Sequence, residues 1–324
     1  MKKRMTSNLQ WTLLFLVLTL SGPSQADAVR SSVASFGELR AMMEGLGPDE
    51  LRHSLLVMDD DDTLTMMPCP DRSDPGRCQY LGGPAWYAWQ SQLVKEGSPG
   101  RVADDTPGLL DIATLLFAVN YMAYTEPDLP EVLETLSDAG AKLLVLTARG
   151  PDTLSATEAQ LGNRRVAGDR YGSFLDLIKR HALVGEGSGI ASLAGPFLPL
   201  DCDARSDGKP RAVSYQQGVM YVAGQNKGGM LHCLLDRTES ADIRHIFFID
   251  DTLENVVDVY EAFADRPGPS VHALHYTRFN DHKAALTTGP QAQRLQWNAQ
   301  RRWDTIKSVL ERELQEPAIP TAAD

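Results

Sequence analysis

Short apolar runs along this chain alternate with longer segments in which apolar residues recur at helical spacing. Four runs are predicted as strands buried on both faces, because they are continuous and bounded by polar residues. They are 54–58, 142–147, 245–249 and 271–276. Because these strands alternate with helices, we predict an α/β fold built on a doubly wound, mostly parallel, Rossmann-like sheet.

The segments around these strands have the periodicity of amphipathic helices. Helices are predicted at 36–46, 85–94, 109–122, 129–139, 154–161, 171–181, 252–264 and 291–314. Asp128 and Glu131 have capping-box spacing, and Gly140 suits the position after the helix that they begin. A small hairpin around Gln217-Gly218 is predicted over 213–222, after a loop at 185–209.

The first residues have the features of an export signal. Basic residues at 2–4 precede an apolar core at 11–20, and small residues suited to cleavage precede Asp27 and Val29. The apolar core is short for a membrane span. We therefore expect residues 1–28 to be a signal peptide. The mature protein would be periplasmic or secreted, with no stable membrane anchor.

Four cysteines fit an oxidising compartment. They are Cys69, Cys78, Cys202 and Cys233, which allow three pairings and match no zinc motif. Cys69 and Cys78 flank a loop rich in Pro, Asp and Arg, so we expect these two to pair. The alternative that all four are free or small buried residues stays open.

The formal charge of −12 over 324 residues bears on the class of partner. Binding to a nucleic-acid backbone is driven by basic residues that release counterions, so nucleic acid is not expected as the main partner. A small anionic substrate would need local positive charge in such an acidic protein, most simply from a metal ion.

Acidic residues follow two of the predicted buried strands. The run 59–62 comes directly after the first strand, and Asp250-Asp251 follow the third. Open α/β sheets form their ligand crevices at the carboxyl ends of strands, and like charges crowded there are costly unless a cation neutralises them. The alternatives are a solvated acidic turn at 59–62 and a helix cap at Asp250-Asp251.

Two further positions complete a set of motifs. The set is Asp59-x-Asp61-x-Thr63, Thr147 at the end of the second strand, Lys227 in Asn226-Lys227-Gly228, and Asp250-Asp251. In order and context it resembles the four motifs of the haloacid-dehalogenase-like (HAD) phosphohydrolase superfamily. The resemblance extends over about 54–276 and implies hydrolysis, because the second aspartate of the first motif separates that superfamily's phosphatases from its dehalogenases and ATPases.

The resemblance implies a domain organisation. A HAD-like core would comprise 29–68 and 125–314, with a helical cap inserted at 69–124. A second small insertion is possible at 164–218, and 315–324 would be a flexible tail.

The resemblance also implies a role for each motif residue. Asp59 would be the nucleophile that forms an aspartyl-phosphate, and Asp61 would be the general acid and base. Thr147 would hydrogen-bond a phosphoryl oxygen, and Lys227 would balance charge on the phosphoryl group and on Asp59. Taken singly, Thr147 would be an ordinary strand-end residue and Lys227 a solvated loop lysine.

Mg²⁺ is the cofactor that the resemblance implies. Its ligands would be the carboxylates of Asp59 and Asp250 and the backbone carbonyl of Asp61, because hard oxygen ligands suit this ion. Asp251 would lie outside them and orient metal-bound water or the lysine.

Three further residues lie near the motifs and have no assigned catalytic role. Asp60 and Asp62 are expected to pack or to make hydrogen bonds within the loop, without a catalytic role. Arg149 is expected in a surface ion pair, with substrate contact as the alternative.

These expectations together predict an exported, Mg²⁺-dependent phosphomonoesterase that acts on a small soluble phosphate ester. Two alternatives stay open. One is a phosphotransferase or mutase, whose acceptor is a hydroxyl group instead of water. The other is a non-catalytic protein that binds phosphate esters on the same fold.

Overall fold

A computed structural model of the protein describes residues 28–166, 168–185, 187–200, 202, 209–264 and 266–314. The predicted signal peptide, apart from Ala28, lies outside the described residues, and so does the predicted tail at 315–324. Within the described ranges, every helix is too short or too polar to span a bilayer.

The strands alternate with helices along the chain, as predicted. The strands are β1 (Ala28–Val33), β2 (Ser54–Met58), β3 (Thr65–Met66), β4 (Ala123–Tyr124), β5 (Lys142–Thr147), β6 (Ser214–Gln216), β7 (Val219–Tyr221), β8 (His245–Asp250) and β9 (Ser270–Tyr276). The helices are α1 (Phe36–Glu44), α2 (Pro48–Leu51), α3 (Pro84–Glu96), α4 (Thr106–Val119), α5 (Leu129–Asp138), α6 (Leu154–Gly162), α7 (Phe174–His181), α8 (Lys227–Arg237), α9 (Leu253–Ala264), α10 (Asn280–Thr287) and α11 (Ala292–Leu314).

One seven-stranded sheet forms the centre of the fold. Its order is β1-β9-β8-β2-β5-β7-β6, and every neighbouring pair is parallel except β6 with β7. Helices cover both of its faces. Leu56 and Met58 of β2 join a hydrophobic cluster with residues of α1, α5 and α7, while Leu55 and Val57 join a second cluster with residues of α8 and α9. The predicted fold class, α/β with a mostly parallel sheet, is confirmed.

Local geometry tests two of the predicted turns and one predicted cap. Gln217 and Gly218 have φ of 50° and 83° and join β6 to β7, so the predicted hairpin is confirmed. Both positive φ values are those of the tight turn that matches strand twist. Gly140 has φ of 106°, as expected for the residue after a helix end. The predicted capping box is wrong, because the Asp128 side chain makes no capping hydrogen bond.

The sequence patterns did not predict α2, α8, β3 and β4, nor two further elements. The strand β1 runs along the edge of the sheet beside β9, and four of its six residues are exposed. Its sequence contains no continuous apolar run. The helix α10 is short and polar, and only His282 and Leu286 are buried in it. Neither element carries the periodicity that identified the others.

The segment 69–124 and the C-terminal helices share a third hydrophobic cluster. Trp86 of α3 and Leu109 of α4 pack there with Leu286 of α10 and Trp303 of α11. The segment is flanked by β3 and β4, which pair antiparallel to each other outside the main sheet.

Both disulfides are formed. Cys69 is bonded to Cys78, which confirms the expected pairing, and Cys202 is bonded to Cys233.

Candidate active site

Three predicted site residues meet at one edge of the sheet because their strands are neighbours. Met58 at the end of β2 is paired with Val145 of β5 on one side and with Ile249 of β8 on the other. Asp59, Thr147 and Asp250 therefore lie together at the carboxyl edge, and all three are buried. The Thr147 hydroxyl oxygen accepts a hydrogen bond of 3.2 Å from the backbone N–H of Arg149.

Lys227 joins two of these strand ends. Its Nζ lies 2.5 Å from Oδ1 of Asp59 and 2.6 Å from Oδ2 of Asp250, and only 1% of the lysine side chain is exposed. The alternative of a solvated loop lysine is wrong, because Lys227 is buried and is the first residue of α8. Burial of a lysine is tolerated here because two carboxylates compensate its charge.

The residues on either side of Lys227 explain how α8 positions this lysine. The Asn226 side chain accepts a hydrogen bond from the N–H of Gly229 and so caps the helix start. A Cβ at Gly228 would lie 2.3 Å from the backbone oxygen of Asp258, so the glycine permits close packing of α8 on α9. A cation at a helix N-terminus is unfavourable, and the two carboxylates offset that cost.

Arg149 is also buried, so the expected surface ion pair is wrong. Its Nε and Nη2 donate to the two carboxylate oxygens of Asp61 at 2.8 and 2.7 Å, a bidentate contact. Its Nη1 lies 3.3 Å from Oδ2 of Asp60 and donates to the side chain of Gln160 at 2.7 Å. The guanidinium also lies 4.3 Å from the centre of the Phe117 ring of α4. Arg149 follows Thr147 by two residues, so its position just after the end of a strand could have identified it as a site residue from the sequence.

Asp60 stabilises the loop that follows β2. Its carboxylate accepts a hydrogen bond of 2.8 Å from the Thr65 hydroxyl, and its backbone oxygen accepts from the N–H groups of Leu64 and Thr65. The expectation that Asp60 makes hydrogen bonds within the loop is confirmed. Asp62 is buried as well and adopts a left-handed φ of 61°, which turns the chain toward β3.

Burial and crowding raise the pKa values of several of these carboxylates. Burial raises the pKa of Asp59 well above its usual range; Asp250 and Asp251 add to the rise, and Lys227 opposes it. Burial likewise raises the pKa of Asp251 to about 6, with Lys283 opposing. Burial alone would lower the pKa of Lys227, but Asp250 and Asp59 raise it above its ordinary value. The lysine is therefore charged at neutral pH.

The carboxylates of Asp59, Asp250 and Asp251 fit a divalent metal. Each offers an oxygen, and the three oxygens lie within 4.8 Å of one another. Hard oxygen donors of this kind suit Mg²⁺. Six carboxylates, those of 59–62 and 250–251, face three cationic side chains in the described site, so a further positive charge would relieve their repulsion.

The third cation, Lys283, was not predicted. It extends from α10 to pair with the Asp251 carboxylate, and it donates to the Thr252 hydroxyl at 3.0 Å. It lies outside the four motifs, and the sequence around it carries no signal that would have identified it.

Comparison with known proteins assigns the chain to a family. The model of a family described as "Protein of unknown function (DUF2608)" matches residues 33–315. The chain belongs to the DUF2608 family. No curated protein sequence matches it. Among solved structures, cytosolic 5′-nucleotidase IIIB bound to cytidine is similar at 12% identity and a TM-score of 0.34, over 84% of this chain and 92% of that one.

The match to the DUF2608 model spans every element that builds the site. It begins at the last residue of β1 and continues past α11, so it includes the aspartate run, Arg149, Lys227 and Lys283. The site thus lies entirely within the family's matched region.

Proposed function

We propose that this DUF2608 chain is a Mg²⁺-dependent phosphomonoester hydrolase that acts through an aspartyl-phosphate on Asp59. One observation carries the proposal: Asp59 and Asp250, from two strand ends, share the buried ammonium of Lys227. Asp61 lies two residues beyond Asp59, held by the Arg149 guanidinium. The resemblance of the four motifs to HAD phosphohydrolases supports the same reaction.

In the first step a carboxylate oxygen of Asp59 attacks phosphorus. The new oxygen–phosphorus bond forms as the bond from phosphorus to the ester oxygen breaks, and Asp61 in its protonated form gives the leaving alcohol its proton. In the second step Asp61 takes a proton from water, the water oxygen bonds to phosphorus, and the bond to Asp59 breaks. The products are the alcohol and inorganic phosphate, and Asp59 is regenerated.

The surrounding cations make these steps feasible. Lys227 stabilises the ionised Asp59 and the charge that develops on the phosphoryl oxygens, and the Thr147 hydroxyl would bind one of those oxygens. Mg²⁺, held by Asp59, Asp250 and the Asp61 carbonyl with the Asp251 carboxylate beside them, would supply further positive charge to the phosphoryl group. The bidentate contact from Arg149 fixes the plane of the Asp61 carboxylate, and one of its oxygens has to leave that contact to carry the proton of the first step.

The insert at 69–124 supports a small substrate. Its helix α4 contacts the core beside the site, where the Gln160 amide donates to the Phe117 backbone oxygen at 2.6 Å and the Phe117 ring covers Arg149. A helical segment that covers a site in this way limits the size of the ester and excludes bulk water.

Export is the second part of the proposal. The two disulfides support an oxidising compartment, and the features of 1–28 support a signal peptide. Cleavage after Ala26 would keep all of β1, whereas cleavage after Ala28 would remove its first residue. Mass spectrometry of the protein recovered from a periplasmic extract tests this, and an intact N-terminus there would contradict it.

The decisive experiment is hydrolysis of an aryl phosphate by the wild type, Asp59→Asn and the exposed control Asp49→Asn. With Mg²⁺ we expect activity in the wild type and in the control, and none in Asp59→Asn, while circular dichroism shows all three folded. Full activity in Asp59→Asn would refute the nucleophile. Hydrolysis that survives complete chelation by EDTA would refute the metal. Product analysis with excess alcohol separates hydrolysis from phosphoryl transfer.

A further inference from the structure

Lys283 bridges two residues at the end of β8. Its ammonium contacts Oδ2 of Asp251 and donates to the Thr252 hydroxyl, which in turn lies 3.4 Å from Oδ1 of the same aspartate. Both oxygens of the Asp251 carboxylate thus have a partner within one small group. A carboxylate held at both oxygens has few orientations open to it.

Asp251 is also fixed through its backbone. Its N–H donates to the hydroxyl of Thr63 at 3.1 Å, which ties the end of β8 to the loop after β2. One of its carboxylate oxygens lies within 4.8 Å of oxygens of Asp59 and Asp250. The backbone contact sets where Asp251 lies, and the Lys283 contact sets how its carboxylate is turned.

The helix that carries Lys283 is held in place from its other side. The preceding residue, His282, is buried, and its Nε2 lies 3.8 Å from Sγ of Cys69 in the Cys69–Cys78 disulfide. Leu286, on the next turn, is fully buried beside Trp86 of the insert. The helix that carries the lysine is therefore fixed in position, although about a third of the lysine side chain is exposed.

We propose that Lys283 is a positioning residue that turns the Asp251 carboxylate toward Asp59 and Asp250 and so sets the affinity of these carboxylates for a divalent cation. This rests on the metal site of the proposed function. Residues that hydrogen-bond a metal-binding carboxylate without touching the metal typically raise the metal affinity about 10- to 100-fold. The competing explanation is that the ion pair only fastens α10 to the core, in which case metal affinity would not change.

The test measures Mn²⁺ binding directly, by electron paramagnetic resonance of free Mn²⁺, with no substrate present. The proteins are the wild type, Lys283→Met, Lys283→Gln and Lys283→Arg. The control is Lys307→Met, which removes an exposed lysine of α11 that pairs only loosely with Glu311, at 3.8 Å. We expect the Met and Gln variants to bind Mn²⁺ about tenfold more weakly or worse. The Arg variant should stay within about threefold of the wild type, because it keeps a donor and the charge.

Thermal melting in EDTA identifies which variants fold. If Lys283→Met does not fold, Lys283→Gln is the decisive comparison. Binding within twofold of the wild type in the folded variant would overturn the proposal, and so would an Arg variant as weak as Met. A wild type that binds Mn²⁺ but hydrolyses no phosphate ester would overturn the proposed function and leave this inference standing. A wild type that binds no Mn²⁺ would overturn this inference, and its activity in EDTA would then decide the proposed function.

Discussion

Two buried ion-pair groups lie on either side of the aspartate run, and they are built differently. In one, Lys227 is a point charge shared by carboxylates from two strands, Asp59 and Asp250. In the other, the planar guanidinium of Arg149 lies beside the Asp60 carboxylate and donates to both carboxylate oxygens of Asp61. These two aspartates are neighbours on one loop.

The difference follows from the chemistry of the two cations. An ammonium donates in several directions and neutralises whatever surrounds it, whereas a guanidinium fixes the plane of the carboxylate that it binds. The lysine group therefore holds crowded charges together, and the arginine group orients one of them. Substitutions in each group should separate these two tasks.

The largest effect is expected for Lys227→Met. Removing this lysine leaves Asp59 and Asp250 buried beside each other without a cation, and breaking such a buried pair costs about 3–5 kcal/mol. The free energy of unfolding, measured by urea titration in EDTA, should fall by that amount. Lys307→Met is the matched control and should change it by less than about 0.5 kcal/mol. A Lys227→Met protein as stable as the wild type would show that the lysine does not hold these charges together.

The next effect is expected for Arg149→Lys, which keeps the charge and loses the bidentate contact. We expect kcat to fall about 10- to 100-fold, since general acid–base catalysis contributes about 10²–10⁴ and depends on orientation. The fall should be larger for an alkyl phosphate, whose leaving group needs a proton, than for p-nitrophenyl phosphate, whose leaving group does not. Equal losses on both substrates would contradict an orienting role.

The smallest effect on catalysis is expected for Thr65→Val, which removes the hydroxyl that donates to Asp60. Loss of one hydrogen bond to a charged group should lower the free energy of unfolding by about 1.5–3 kcal/mol. The kcat should change by less than about threefold, because the orientation of Asp61 depends on Arg149. Chemical denaturation and steady-state kinetics on the same preparation check both. A loss of kcat as large as that of Arg149→Lys would mean that the two neighbouring aspartates act as one unit.

The sequence predicted the parts of the site that follow from strand position. The buried runs that became β2, β5 and β8 begin where predicted, two of the three have the predicted ends, and β8 extends one residue further, to Asp250. Carboxyl ends of neighbouring parallel strands meet at one edge, so the convergence of Asp59, Thr147 and Asp250 followed from the fold class. The Cys69–Cys78 pair was predicted from a short turn-rich loop between the two cysteines.

The remaining contacts depend on tertiary packing that no local pattern encodes. The burial of Lys227 depends on how closely α8 approaches α9, and the burial of Arg149 depends on the placement of α4 and α6. Lys283 belongs to a short polar helix that packs against the segment 69–124. Residues whose role comes from long-range packing are the ones that sequence periodicity cannot identify.

The hydrophobic cluster shared by the segment 69–124 and the C-terminal helices has a consequence for biosynthesis. Trp86 and Leu109 are made early, but their partners Leu286 and Trp303 leave the ribosome about two hundred residues later. Until then the apolar face of the segment 69–124 stays uncovered by these helices, so the growing chain would depend on chaperones. Proteolytic loss of 280–314 from the finished protein would expose the same face and remove Lys283 with it.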